Sequence, residues 1–410
     1  MTAIVASGGQ GSQIASPGAR SYRVESLDLL RGLVIVIMAL DHVRDFMMLA
    51  AAQDPLVDPD VTPGLFFTRW ITHFCAPVFV LLAGVSAGLM TARRAPPALG
   101  VFLATRGLWL IAVEIFVVST GVTFAPFGLD DVSGRVFVSM QVIWAIGVSM
   151  IVLAAAQFLG QRACLAIGGA LLLGHNLLDP VWPATGGPMD VGPPIWVALH
   201  SQMALEAGPF LLAFVYPVLP WIALMLFGFG VAPLWAERPA IRDARLLRWG
   251  LATVAAFVAL RLSGVYGDAN PWHIQGSLTR TLLDFLNVTK YPPSLLFLLM
   301  TLGPAALLCA YAARIPQAIA RVLVTFGRVP FAFYVAHVYL IHVLAMVLGV
   351  VQGFDAREFL TIFFFYPGGY GVGLGAVYAL WLLVIVLLYP WCRWIAAVKE
   401  RRRDWWLSYV

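Results

Sequence analysis

Charge is what this chain has least of. Only 11% of its 410 residues are charged and 61% are hydrophobic, whereas a soluble domain carries about 25% charged residues. That shortage excludes an ordinary soluble domain and indicates a polytopic membrane protein. Cysteine is also scarce: Cys75, Cys164, Cys309 and Cys392 each stand alone in an apolar stretch. Without a CxxC pair there is neither a disulfide framework nor a thiolate metal site, and free buried thiols are expected. A secretory signal is missing too, because residues 1–22 are rich in Gly, Ser and Ala and have no apolar core. A disordered cytoplasmic tail is expected there. No internal repeat is visible. The net charge of +5 does not indicate nucleic-acid binding, because the basic residues form short clusters between apolar segments.

The apolar segments dominate the rest. A spanning helix needs about 20 mainly apolar residues. Windows of that length predict an all-α protein of about ten transmembrane helices. They fall near 27–48, 66–91, 98–121, 136–159, 162–178, 209–234, 246–264, 292–313, 322–350 and 370–394. Every second boundary is basic, from Arg20 and Arg23 through Arg93, Arg94, Arg162, the arginines of 238–248, Arg314 and Arg321 to the 399–403 cluster. The positive-inside rule then places both termini in the cytoplasm. The remaining loops carry the aspartates and face outward. Three of them, 49–65, 179–208 and 265–291, are long, and the stretch 271–294 could hold a short interfacial helix. The predicted organisation is a tail (1–22), a membrane domain (23–395) and a basic cytoplasmic tail (396–410).

Against this apolar background the ionisable residues stand out. The first helix reads SLDLLRGLVIVIMALDHVRDF (26–46) and carries Asp41, His42, Arg44 and Asp45 in its outer half. A charge near the bilayer centre costs about 2.5–3.5 kcal/mol even on the milder insertion scale, so such groups line a cavity or pair with one another. Asp41 and Asp45 share a face, and His42 reaches Asp45 at i, i+3. A carboxylate beside an imidazole orients it as a general base. Other predicted helices bring Arg69, His73, Glu114, Arg261, His337 and His342 to similar depth, with Lys290 and Tyr291 just outside. His73 could equally be an interhelical hydrogen-bonding residue, and His337 and His342 could be structural; Lys290 could be a plain interfacial lysine. No HxxxH pair lies within one helix, so no metal site is expected. The cytoplasmic half carries a thinner set, Arg31, Arg106 and Arg328, suited to an anionic ligand or to anchoring the helix ends.

Four blocks, RVESLDLLRGLVIVIMALDHVRDF, TRWITHFCAPVFVLLAGVSA, NVTKYPPSLLFLLMTLGPA and FGRVPFAFYVAHVYLIH, occur in that order. Together they resemble the bacterial branch of the heparan-alpha-glucosaminide N-acetyltransferase catalytic-domain family, within the transmembrane acyltransferase superfamily. The resemblance implies transfer of an acyl group from acetyl-CoA on the cytoplasmic side to an acceptor on the other side. The family's acceptor is typically the amine of a glucosamine. The lysosomal enzyme of this family carries its active histidine in the loop before the second helix. The matching loop here, 49–65, has none, and the DHVRDF and TRWITHFCAP blocks offer His42 and His73 instead.

The combined expectation is a membrane O- or N-acyltransferase. Its catalytic residues are His42, Asp41, Asp45 and His73. Arg44, Arg69, Glu114, Lys290, Tyr291, His337 and His342 bind substrate, and Arg31, Arg106 and Arg328 bind acyl-CoA. Expected partners are the lipid bilayer, acyl-CoA and a small-molecule or glycan acceptor, with a homodimer also open. A proton-coupled transporter or flippase is the alternative, because buried Asp, Glu and His chains also relay protons. A structural or sensory membrane protein would bind no acyl-CoA at all.

Overall fold

A computed structural model describes residues 25–49, 61–125, 129–130, 135–180, 191–402, 404 and 407. The tail 1–22 and most of the 49–65 loop lie outside the described residues. The described chain is mostly helical. In order it forms α1 (Glu25–Met47), α2 (Pro63–Met90), α3 (Pro96–Thr123), β1 (Leu129–Asp130), β2 (Arg135–Met140), α4 (Val142–Leu159), α5 (Gln161–Gly174), α6 (Pro194–Leu199), β3 (Met203–Ala207) and β4 (Phe210–Phe214). Then follow α7 (Leu219–Ala236), α8 (Pro239–Ser263), α9 (Leu278–Leu286), α10 (Leu295–Ala310), α11 (Gln317–Gly327), α12 (Pro330–Val351) and α13 (Leu374–Arg401). Each of the predicted spans contains a helix. Among the described residues, seven helices (α2, α3, α4, α7, α8, α12 and α13) are long and apolar enough to cross a membrane. α1 has comparable length, with 23 residues, but carries the ionisable cluster. The protein is an integral membrane protein.

The differences from the predicted spans have local causes. The segment read as one helix over 322–350 is two, α11 and α12. Pro330 disfavours a helical conformation at Val329 and has no N–H to continue the ladder. α13 continues to Arg401, so the boundary placed at 395 falls inside a helix. The starts assigned to the helices over 136–159 and 209–234 are strands instead. There β2 and β4 pair in parallel, with β1 and β3 antiparallel on the flanks, in the order β1-β2-β4-β3. Alternate residues of a strand face opposite sides. Phe137, Ser139 and Ala213 accordingly turn to one face and line a cavity. Val138, Met140 and Phe214 pack on the other with Val197 of α6. The end of the bundle bearing this sheet is called the sheet end below.

α1 runs through the core and packs against α2, α11, α12 and α13. Its crossing with α11 is close. A Cβ on Gly32 would run into the Leu323 carbonyl, and one on Gly327 into that of Asp28. Small residues at such crossings let backbones touch, and this one brings the Arg328 end of α11 beside Asp28 and Arg31. α2 opens on Thr62, whose hydroxyl accepts from the Leu65 N–H at 3.3 Å, with Pro63 in its first turn. It tightens into a 3₁₀ turn at Thr72–Phe74. Pro77 explains the turn, since it cannot donate to the carbonyl of His73 four residues earlier.

Candidate functional site

At the sheet end, α1 and α2 build a buried charge cluster. The Arg69 Nη1 group donates to both carboxylate oxygens of Asp41, at 2.8 and 2.6 Å. Arg44 Nη2 lies 3.2 Å from Asp41 and also pairs with Asp45. Lys290 Nζ lies 3.9 Å from Asp41 and 5.0 Å from the Tyr291 ring centre. Two carboxylates thus meet three cations at one end of α1, and Nη1 of the buried Arg44 has no hydrogen-bond partner. A cluster with surplus positive charge favours a ligand or a transition state that brings negative charge.

Beside it stands a histidine pair. His42 Nδ1 and His337 Nε2 are 2.7 Å apart, and the rings lie within 14° of parallel. The direction of the bond follows from the other side of His337. Its Nδ1 faces the carbonyls of Tyr334 at 2.5 Å and Phe333 at 3.2 Å. A carbonyl only accepts, so Nδ1 carries the hydrogen, and in the neutral ring Nε2 is the lone pair. His42 Nδ1 therefore donates to His337, which leaves Nε2 of His42 as a free base. His42 lines a cavity of about 490 Å³ with Asp41, Arg44, Asp45 and Arg69. Its walls include Ser139 of β2 and the aromatic turn Phe363–Phe365. Tyr216 and Tyr291, with hydroxyls 3.3 Å apart, also contribute.

A second cavity, about 480 Å³, occupies the other half of the bundle and is lined by Asp28, Arg31, Arg106 and Arg328. Phe79, Phe102 and Phe331 supply apolar wall. Arg31 pairs with Asp28 at 3.0 Å and with the Ser86 hydroxyl; Arg328 reaches Glu400 at 2.7 Å. Three guanidinium groups and an aromatic channel suit a thin chain with a polyanionic head. The three arginines expected to hold acyl-CoA are thus brought together in one cavity.

Five of the expected site residues, His73, Glu114, Lys290, His337 and His342, line neither cavity; Lys290 and His337 stand behind the sheet-end cavity as partners of Asp41 and His42. His73 is buried against Phe297, with both ring nitrogens unpartnered. Glu114 is buried at a π-helical turn of α3, and its Oε2 accepts from the Trp144 N–H at 3.0 Å, capping α4. His342 bridges two carbonyls, those of Gly121 at 2.9 Å and Phe359 at 2.8 Å, and stacks on Phe124. These contacts hold α3 and the 356–359 turn to α12. Arg261 reaches the carbonyls of Asn270, Asp284, Phe285 and Asn287 and braces the 265–291 loop, in which α9 forms.

Tyr334 and Tyr216 were not singled out in the sequence, because an aromatic residue in an apolar run carries no mark of function. Nor were His175 and His200. Their rings lie 5.7 Å apart, and His200 Nε2 lies 3.7 Å from Asp179. Burial holds the His200 imidazole below the ordinary histidine range. Among the described residues no group of three His, Cys, Asp or Glu side chains is placed to hold a metal ion.

No curated protein matches the chain. Among family models, the one described as "Heparan-alpha-glucosaminide N-acetyltransferase, catalytic" matches residues 23–264.

Proposed function

The chain belongs to the heparan-alpha-glucosaminide N-acetyltransferase catalytic family and is a membrane acetyltransferase, and we propose that it moves an acetyl group from acetyl-CoA to an amine or hydroxyl acceptor across the membrane. The donor occupies the cavity of Arg31, Arg106 and Arg328, on the cytoplasmic side of a bacterial inner membrane. The acceptor, a sugar or other small molecule, occupies the sheet-end cavity. The observation that carries this reading is the His42–His337 bond at 2.7 Å, whose direction leaves a lone pair on a residue lining that cavity.

The acceptor nitrogen or oxygen attacks the thioester carbonyl and forms a new C–N or C–O bond. His42 Nε2 takes the proton the acceptor loses. The oxyanion gathers beside Arg44, Arg69 and Lys290. When the tetrahedral centre collapses, the C–S bond breaks, and the departing thiolate takes the proton held on His42, which restores the neutral base and releases CoA thiol. Attack by His42 itself, through an acyl-histidine, would use the same lone pair.

Thiol release from acetyl-CoA against a panel of sugars, amino sugars and hydroxyl acceptors tests the activity. His42→Ala in folded protein is expected to lower turnover about 10²–10⁴-fold, the usual worth of a general base; unchanged turnover removes His42 from this role. A proton-coupled transporter, the competing reading, would instead take up substrate into proteoliposomes without an acyl donor.

A further inference from the structure

Among the described residues the two cavities share a single lining residue, Tyr334. Three helices pass from one cavity to the other at this level. On α1, Met38 lines the arginine-bearing cavity and Asp41 the sheet-end cavity, about 4.5 Å apart along the helix axis. At the start of α4 the change occurs between Val142 and Gln141. On α12, Phe331 lines one cavity and Val338 the other, with Tyr334 between them lining both. The two linings thus come within about a helical turn of each other around Tyr334, whereas on α2 (Arg69 and Phe79) and α3 (Leu110 and Val122) they lie farther apart. Neither cavity is sealed off from the surroundings of the protein. Tyr334 itself is 5% exposed, and its main-chain carbonyl fixes the hydrogen on His337 Nδ1.

We propose that Tyr334 is the septum between the donor and acceptor cavities, its ring closing the passage that the acetyl group must cross. The assignment of donor and acceptor rests on the acetyltransferase reading; the septum itself rests on the cavity walls. A one-residue septum has a chemical use. A thioester open to the sheet-end cavity would be exposed to water, and excluding water prevents hydrolysis of a reactive acyl group. A bulky apolar ring keeps the cavities apart, while the backbone of the same residue orients the histidine pair that takes the acceptor's proton.

The test compares wild type with Tyr334→Ala, Tyr334→Val and Tyr334→Phe, with two readouts. In proteoliposomes, proton leak reports whether the cavities have joined. Ala is expected to leak and Val to leak less; Phe, which keeps the ring, stays as tight as wild type. In the enzyme assay, the ratio of acceptor-independent to acceptor-dependent thiol release is expected to rise about tenfold in the Ala variant and to change little in Phe. Tight Ala and Val variants with an unchanged ratio overturn the septum. The Val variant carries the same test if Ala does not fold. Leak through Ala in a protein that never cleaves acetyl-CoA supports the septum and overturns the acetyltransferase reading. Normal turnover without leak or hydrolysis in any variant does the reverse.

Discussion

Asp41 is the residue on which the sheet-end site balances. It is the carboxylate nearest Arg69, Arg44 and Lys290 together, at 2.6, 3.2 and 3.9 Å. Removing one partner from a buried ion cluster is worse than never having built it, because the remaining charges stay buried without compensation. Asp41→Asn keeps the shape and removes the charge. It is expected to cost about 3–5 kcal/mol of stability, read as a lower unfolding temperature in detergent. A variant as stable as wild type would mean that water reaches the three cations and screens them. This cluster was legible in the sequence, because four ionisable residues inside an apolar helix are too costly to be incidental. The role of His337 was not. It read as substrate-binding or structural, and its approach to His42, visible only in the fold, supports a different role as partner of the proposed base. It also lies beyond the residues matched by the family, so the second half of the base comes from geometry alone.

At the scale of elements, the α1–α11 crossing shapes the arginine-bearing cavity proposed to hold the donor. Gly32 and Gly327 let the helices touch at their backbones, and Asp28, Arg31 and Arg328 follow from that contact. Gly327→Ala places a methyl group where the Asp28 carbonyl lies. The helices must part, at a cost of about 1–3 kcal/mol typical of overpacking, and acetyl-CoA binding should weaken with them. Gly375→Ala is the control. A Cβ there meets open space on α13, so stability should hold or rise with the better helix propensity. Equal loss in both variants would show that the crossing is not special. The positions of the helices were readable from apolar length alone. The sheet was not, because β2 and β4 are short apolar runs that join the helices following them, and hydrophobicity by itself does not separate a short buried strand from a helix end. Its effect on the site is direct, since Phe137, Ser139 and Ala213 form a wall that a helix would have turned elsewhere. Glu114, expected at the substrate, is drawn instead to the free N–H groups at the start of α4, a demand invisible until that helix begins at Val142 rather than near 136.

On the scale of the whole molecule, the arrangement of two cavities implies a direction. The first half of α1, Leu27 to Met38, lines the arginine-bearing cavity, and its end, Asp41 to Phe46, lines the other. By the positive-inside rule the basic clusters flanking the helices predict a cytoplasmic start for α1. If both hold, acetyl-CoA, which is too charged to cross a bilayer, can be used from one side only. In proteoliposomes sorted to a single orientation, acetyl-CoA added on the side bearing the N-terminus should support turnover, provided the acceptor is on the opposite side. Acetyl-CoA confined to the opposite side should give none. Placing a membrane-impermeant acceptor on the donor side should also abolish transfer while leaving donor binding intact. Turnover with both substrates on one face would mean that the two cavities serve one compartment. The net positive charge at the sheet end would then act within a single site, with no acetyl group carried across the membrane.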